Sequence, residues 1–217
     1  MITLLKLPIP KVLKEKGADW TKELMDAKAR GEDLSTARRN RYNNSEIKKT
    51  LLRETHDKCA YCEAKLTHVT YGDVEHVVPK SAQPELTYEW GNLTVACDIC
   101  NTKKGNIGGL VDPYSEDPEA VHFRFMGPML TLRADSEVGK LTLMVLELNR
   151  ASLIERRKDR VDNLGRRLGE VLKTKDPQLK QVLLDALVRD ETGAEKEFAA
   201  TARAYVSDKQ ADGEIPA

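Results

Sequence analysis

Two Cys-x-x-Cys turns, Cys59/Cys62 and Cys97/Cys100, use every cysteine of this 217-residue sequence. Each turn presents two thiolates at its tip, and two such turns supply the tetrahedral four-sulfur shell that Zn²⁺ accepts. With no cysteine left over, the arithmetic points to metal rather than to disulfides. A closed shell has no open coordination position, so the zinc is expected to be structural. In a small segment its binding can supply on the order of 10 kcal/mol of folding energy. A redox dithiol pair or four ordinary buried cysteines are the competing readings, and a spacing repeated twice disfavours both. His56 and His68 lie near the first turn and could replace a ligand. With four cysteines at hand, both read as bystanders.

Cys62 and Cys97 lie farther apart than the roughly 15–20 residues of a zinc ribbon, so something sizeable sits between the turns. That segment carries Asp73-Val74-Glu75-His76-Val77-Val78-Pro79-Lys80 and then Trp90-Gly91-Asn92-Leu93. The second turn runs on into Asn101-Thr102-Lys103-Lys104-Gly105. Residues 73–78 read as a short strand stopped by Pro79, residues 93–96 as a second strand, and residues 98–104 as a short helix ended by Gly105. Phosphodiester hydrolysis needs an activated water, charge neutralisation and a stabilised leaving oxygen. The imidazole of His76, with a reference pKa of about 6.5, suits a general base near neutral pH. The carboxylate of Glu75 and the amide oxygen of Asn101 are hard ligands suited to Mg²⁺. Neighbours on a strand point to opposite faces, so Glu75 and His76 cannot share one job unless the backbone bends. Taken singly, Glu75-His76 would pass for an exposed strand pair and Asn92 for a turn residue.

Together these residues resemble the HNH endonucleases with a ββα-metal core, especially those in which a CxxC precedes the acid-His pair and CxxC-Asn follows it. The three letters fall on His76, Asn92 and Asn101. The resemblance implies that His76 is the general base and that Asn92 braces the loop between the strands and orients His76. It implies that Glu75 and Asn101 hold the catalytic divalent ion and that Lys104 contacts phosphate. The match covers about a quarter of the chain. Two departures are visible: Glu75 stands where many members have Asp, and Asn101 where some have His. The second favours Mg²⁺ or Mn²⁺ over a catalytic Zn²⁺. His122 lies outside the motif and reads as structural.

The flanks read differently. Residues 20–30 suggest a helix with Leu24 and Met25 on its apolar side. Ser45 reads as the cap of a helix through about Thr55 that buries Ile47, Leu51 and Leu52. Residues 121–125 and 129–133 flank Gly127-Pro128 as a hairpin. From Leu148 onward Ile154, Val161, Leu164, Leu168 and Val171 keep helical spacing. Pro177 opens a helix with Leu179, Val182, Leu183 and Leu187, and a last helix carries Phe198, Ala202 and Tyr205. The expected organisation is 1–55 N-terminal and mostly helical, 56–110 nuclease core with its zinc knuckle, 111–148 a mixed hairpin segment, and 149–217 C-terminal and helical. The fold class is α+β, a zinc-framed ββα-metal core flanked by helical regions.

Net charge is zero overall, which argues against a free-standing, high-affinity nucleic-acid binder. Residues 1–58 carry 14 Lys and Arg against 9 Asp and Glu, and residues 111–148 carry 3 against 7. A basic N-terminal part can lie along phosphates or be a solvated helical surface. No apolar run approaches the roughly 18 residues of a membrane span, and the first residues lack the layout of a signal peptide. A cytoplasmic location is expected. Residues 111–149, with Val111-Asp112-Pro113-Tyr114 and Glu147-Leu148-Asn149-Arg150 before a charged helix, resemble bacterial HNH proteins of anti-phage defence, of the Septu and retron-associated kind. In those systems the nuclease subunit works with an ATPase subunit, which implies a helical partner-binding surface outside the core. The expected substrate is nucleic acid, DNA first. The alternatives are a restriction or homing nuclease on the same core, and a non-catalytic zinc module that only binds nucleic acid or protein.

Overall fold

The computed structural model describes residues 1–66, 70–133 and 135–216, so His68 lies outside the described residues. Pro10 opens α1 (Lys11–Ala29), which starts well before the expected residue 20. Its buried face is Leu13, Gly17, Leu24 and Ala27. Two of these four are small, which hides the stripe in the sequence, while Met25 faces out. After α2 (Thr36–Arg39) and a 3₁₀ turn at Arg41–Asn43 comes α3 (Ser45–Glu54). Its cap is Asn44, not Ser45: the Asn44 side chain accepts the Glu46 N–H at 2.8 Å, satisfying one of the orphan donors of the first turn. Ile47 and Leu51 are buried and Leu52 half-buried.

Two short strands follow, β1 (Asp73–His76) and β2 (Leu93–Ala96), antiparallel with Asp73 opposite Ala96, Glu75 opposite Thr94 and His76 opposite Leu93. β1 stops at His76 rather than at 78, although Val77 still donates to the Asn92 carbonyl at 2.9 Å. Gly72 turns the chain into β1 at φ +62°, where a Cβ would meet Leu66 at 2.8 Å; only glycine fits there. α4 (Asp98–Lys104) leads directly off β2, capped at its start by Cys97 and closed by Gly105 at φ +48°. Strand, strand and helix thus follow the expected ββα order.

α5 (Pro118–Val121) precedes the hairpin of β3 (Phe123–Met126) and β4 (Met129–Leu132), and α6 (Glu137–Val145) follows it. β3 alternates buried and exposed positions, as one strand of a one-sided hairpin does, while in β4 Met129 is exposed, Leu130 buried and Thr131 and Leu132 half-buried. α7 (Ala151–Leu172), α8 (Pro177–Thr192) and α9 (Ala199–Ala211) complete the chain. A large core joins α3, the first cysteine turn, the β1–β2 ribbon, the hairpin, Leu153 of α7 and Phe198, and a smaller one joins Leu164, Leu168, Leu184, Leu187, Ala202 and Val206. The fold is α+β. α8 departs from the stripe expected for it: Leu184 and Leu187 point inward, but Leu179, Val182 and Leu183 are exposed. Among the described residues no helix is long and apolar enough to cross a membrane.

Candidate active site and metal centre

The four cysteine sulfurs lie within 4.8 Å of one another, and Cys62 Sγ is 3.9 Å from Cys97 Sγ. A tetrahedral zinc with bonds of about 2.3 Å separates its sulfurs by about 3.8 Å, so the cluster has the dimensions of a four-thiolate zinc site. Local backbone explains the convergence. His56 and Asp57 both take positive φ and swing the chain out of α3. Cys59 N–H bonds the Ala64 carbonyl at 2.9 Å, closing the first turn, and Ala60 N–H bonds Val95 O at 3.0 Å, stitching that turn to β2. Cys97 presents its sulfur from the α4 N-terminus, where it accepts the Cys100 N–H at 3.4 Å. Contacts from Cys100, Cys59 and Cys62 push the Cys97 thiol down toward the thiolate. Arg150 faces the same sulfurs: burial opposes its charge, but Cys100, Cys62 and Cys97 outweigh that and hold the guanidinium above its usual value. His56 is not among the clustered groups.

Glu75 and His76 are both buried at the end of β1 and turn to different partners. Glu75 Oε1 accepts the ammonium of Lys104 at 2.9 Å and the His76 backbone N–H at 2.9 Å. Lys104, expected at a phosphate, is fully buried, so in this structure its ammonium serves Glu75 and not solvent. Glu75 Oε2 has no protein partner among the described residues and is not a sealed atom. Beside it Asn101 donates from Nδ2 to Asp73 Oδ2 at 2.8 Å, leaving Asn101 Oδ1 without a partner among the described residues. Asp73 shares the Glu75 face because it sits two residues earlier on β1. Asp73, Glu75 and Asn101 thus offer hard oxygen donors on the side of β1 that α4 packs against, the donor type that Mg²⁺ or Mn²⁺ accepts.

His76 is 3% exposed. Its Nε2 lies 3.0 Å from the Thr87 carbonyl oxygen, which can only accept, so Nε2 carries the ring proton and Nδ1 the lone pair. The ring stands edge-on to Tyr42 at 4.6 Å between centroids, and the Lys80 ammonium lies 4.4 Å above the Tyr42 ring. Burial holds the His76 pKa down at about 4, against the Thr87 carbonyl, which raises it; Lys80 and Lys104 add to the lowering. His76 is therefore neutral at neutral pH.

Asn92 ties the loop between the strands. Its Oδ1 accepts the Val78 N–H at 2.7 Å, and its Nδ2 donates to Val78 O at 3.0 Å and Leu86 O at 3.2 Å. His122 is far from this set in role: Nδ1 contacts Ser136 Oγ, which caps α6, and Nε2 lies 2.7 Å from Glu116 Oε1. Sequence reasoning did not find Tyr42, Thr87, Asp73 or Arg150. Of these only Asp73 leaves a signal, through its two-residue offset from Glu75.

Residues 59–106 match the HNH endonuclease family. The chain is similar to a Septu protein PtuB of Bacillus thuringiensis, 36% identical over 107 residues, covering 48% of this chain and 41% of the relative. It is also similar to a Septu protein PtuB of Bacillus mycoides (strain KBAB4), 28% identical over 151 residues, covering 54% of this chain and 51% of the relative. The chain thus spans about half the length, or less, of these curated relatives. The ββα segment between and beside the two cysteine turns matches the HNH endonuclease family, in a chain similar to Septu PtuB.

Proposed function

We propose that this chain is a metal-dependent endonuclease that hydrolyses phosphodiester bonds of nucleic acid, DNA first, with His76 as the general base. The observation that carries the reading is the state of His76. Its Nε2–H is spent on Thr87, its ring is neutral, and Nδ1 has no protein partner and is not a sealed atom among the described residues. Such a nitrogen can take a proton from an attacking water. Glu75 and Asn101, with Asp73 beside them, would hold Mg²⁺ or Mn²⁺; when bound, the ion neutralises charge on the phosphate and on the departing oxygen. Lys104 offsets the charge of Glu75 from behind. Lys80, exposed and on the His76 side, takes the phosphate-contact role in this reading. Asn92 holds the loop that carries Thr87 and hence the ring of His76. Cys59, Cys62, Cys97 and Cys100 would hold a structural zinc.

With the likeness to Septu PtuB in support of a defence role, the reading extends to an effector of anti-phage defence that works with an ATPase-type subunit in the cytoplasm. The exposed apolar side chains Leu179, Val182 and Leu183 of α8 are consistent with a helical partner face. The test is cleavage of plasmid DNA, single-stranded DNA and RNA by the purified chain, alone and with an ATPase-type subunit, in chelator, Mg²⁺ and Mn²⁺. Cleavage that needs Mg²⁺ or Mn²⁺ is expected. Intact polymers under every condition would refute the reading.

A further inference from the structure

We infer that Arg150, backed by Arg157, is the counter-charge of the metal-loaded four-cysteine shell, and that it couples the metal to the seating of α7. The inference rests on the zinc reading of that shell. A divalent ion among four thiolates leaves two units of negative charge uncompensated, in a place largely closed to water. Arg150 stands at the α7 N-terminus, and its two terminal nitrogens each lie 3.8 Å from Cys100 Sγ. One of them also donates to Leu146 O at 3.2 Å. Arg157, about two turns further along the same face of α7 and 2% exposed, donates to Leu148 O at 2.7 Å and lies near the rings of Phe125 and Phe198. Neither guanidinium has a carboxylate in contact among the described residues, and the Nε of each is buried without a partner.

Arg157 is buried and Arg150 half-buried, and a guanidinium withdrawn from water with only neutral partners is costly. Glu63, the nearest carboxylate to influence Arg157, is already engaged by the Met1 amine at 2.6 Å and by Lys58 at 3.9 Å. The charge that remains to offset these two arginines is that of the thiolates, and the four sulfurs are all thiolate only around a metal. The segment from Leu146 to Arg157 also carries Asn149, which bonds Leu130 in both directions, at 2.7 and 3.0 Å. Metal, the start of α7 and the β3–β4 hairpin therefore form one electrostatic and hydrogen-bonded joint, which seats the start of α7 beside the separate contacts of Lys58 with Ala194 and Lys196 and of α9 with β3.

The experiment measures zinc content and the rate of zinc transfer to a coloured chelator for the parent, Arg150→Gln, Arg150→Lys and Arg166→Gln, the last on the exposed side of the same helix. Arg150→Gln should load zinc and release it about 10–100-fold faster, the usual scale for a lost outer-shell partner. Arg150→Lys should fall between, and Arg166→Gln should match the parent. On the parent chain, removing zinc should raise amide hydrogen exchange across residues 146–157 more than across α8, a measurement that stands even if Arg150→Gln does not fold. Release from Arg150→Gln at the parental rate, or exchange at 146–157 that rises no more than in α8, would overturn the inference alone. A parent chain without zinc would overturn the zinc reading and the inference with it.

Discussion

His76 donates its Nε2–H to the backbone carbonyl of Thr87 across 3.0 Å. That bond selects the tautomer and aims Nδ1. The loop that supplies the carbonyl is itself locked, because the Thr87 hydroxyl donates to Pro84 O at 2.6 Å. Thr87→Val keeps the shape and removes that lock. Cleavage by Thr87→Val should fall, by up to about 100-fold if the ring shifts by the order of an ångström, while zinc content and divalent-ion dependence stay at the parental values. Steady-state kinetics across a Mg²⁺ titration checks both.

Glu75 and Lys104 form a buried pair at 2.9 Å. Removing one partner strands a buried charge, at a cost of about 3–5 kcal/mol. Glu75→Ala should therefore unfold at markedly lower urea, whereas Glu75→Gln, which keeps an oxygen for Lys104, should fold. Adding Lys104→Met to Glu75→Ala should recover most of the lost stability but none of the cleavage. Stability and activity measured on the four proteins separate the pairing of Glu75 from its role toward a metal.

Asn92 satisfies three main-chain groups at Val78 and Leu86. Each buried group left unpaired costs about 1–3 kcal/mol. Asn92→Ala should lose stability on that scale and lose cleavage as the loop relaxes. Asn92→Asp should do worse, because a carboxylate oxygen would face the carbonyls of Val78 and Leu86. Thermal unfolding of both variants gives the order.

The sulfur cluster predicts one zinc per chain by elemental analysis. Cys97→Ser replaces a ligand that also caps α4, so it should lose zinc and disorder the helix that carries Asn101 and Lys104. Near-parental zinc content in Cys97→Ser, measured after gel filtration, would contradict the four-sulfur shell.

The parts of this site that were legible in the sequence are those fixed by local spacing. The paired cysteine turns, Pro79 beyond β1 and Gly105 beyond α4 punctuate the ββα order. The alternation of a strand also foretold that Glu75 and His76 would diverge. The same alternation puts Asp73 with Glu75, and the three-residue offset of Asn101 and Lys104 puts both on one side of α4. Reading those two periods together would have paired Lys104 with Glu75 instead of with phosphate. Tyr42, Thr87 and Arg150 reach the site through tertiary contacts from distant segments, which no local period records. α1 was under-read because Gly17 and Ala27 pack without an apolar signature, and Asn44 displaced Ser45 as cap because either residue type satisfies that position.

The most direct test of the account is cleavage by His76→Ala beside His122→Ala, with circular dichroism and zinc content as controls. His76 is not a ligand in either metal site of this account, so its loss should leave fold and zinc intact while cleavage falls by about 10²–10⁴-fold, the usual contribution of a general base. High Mg²⁺ or Mn²⁺ should not restore it. His122→Ala should cleave near the parental rate and lose only stability, since His122 supports Ser136 at the start of α6. Parental cleavage by His76→Ala, with cleavage lost in a folded, zinc-loaded His122→Ala, would contradict the assignment of the active site.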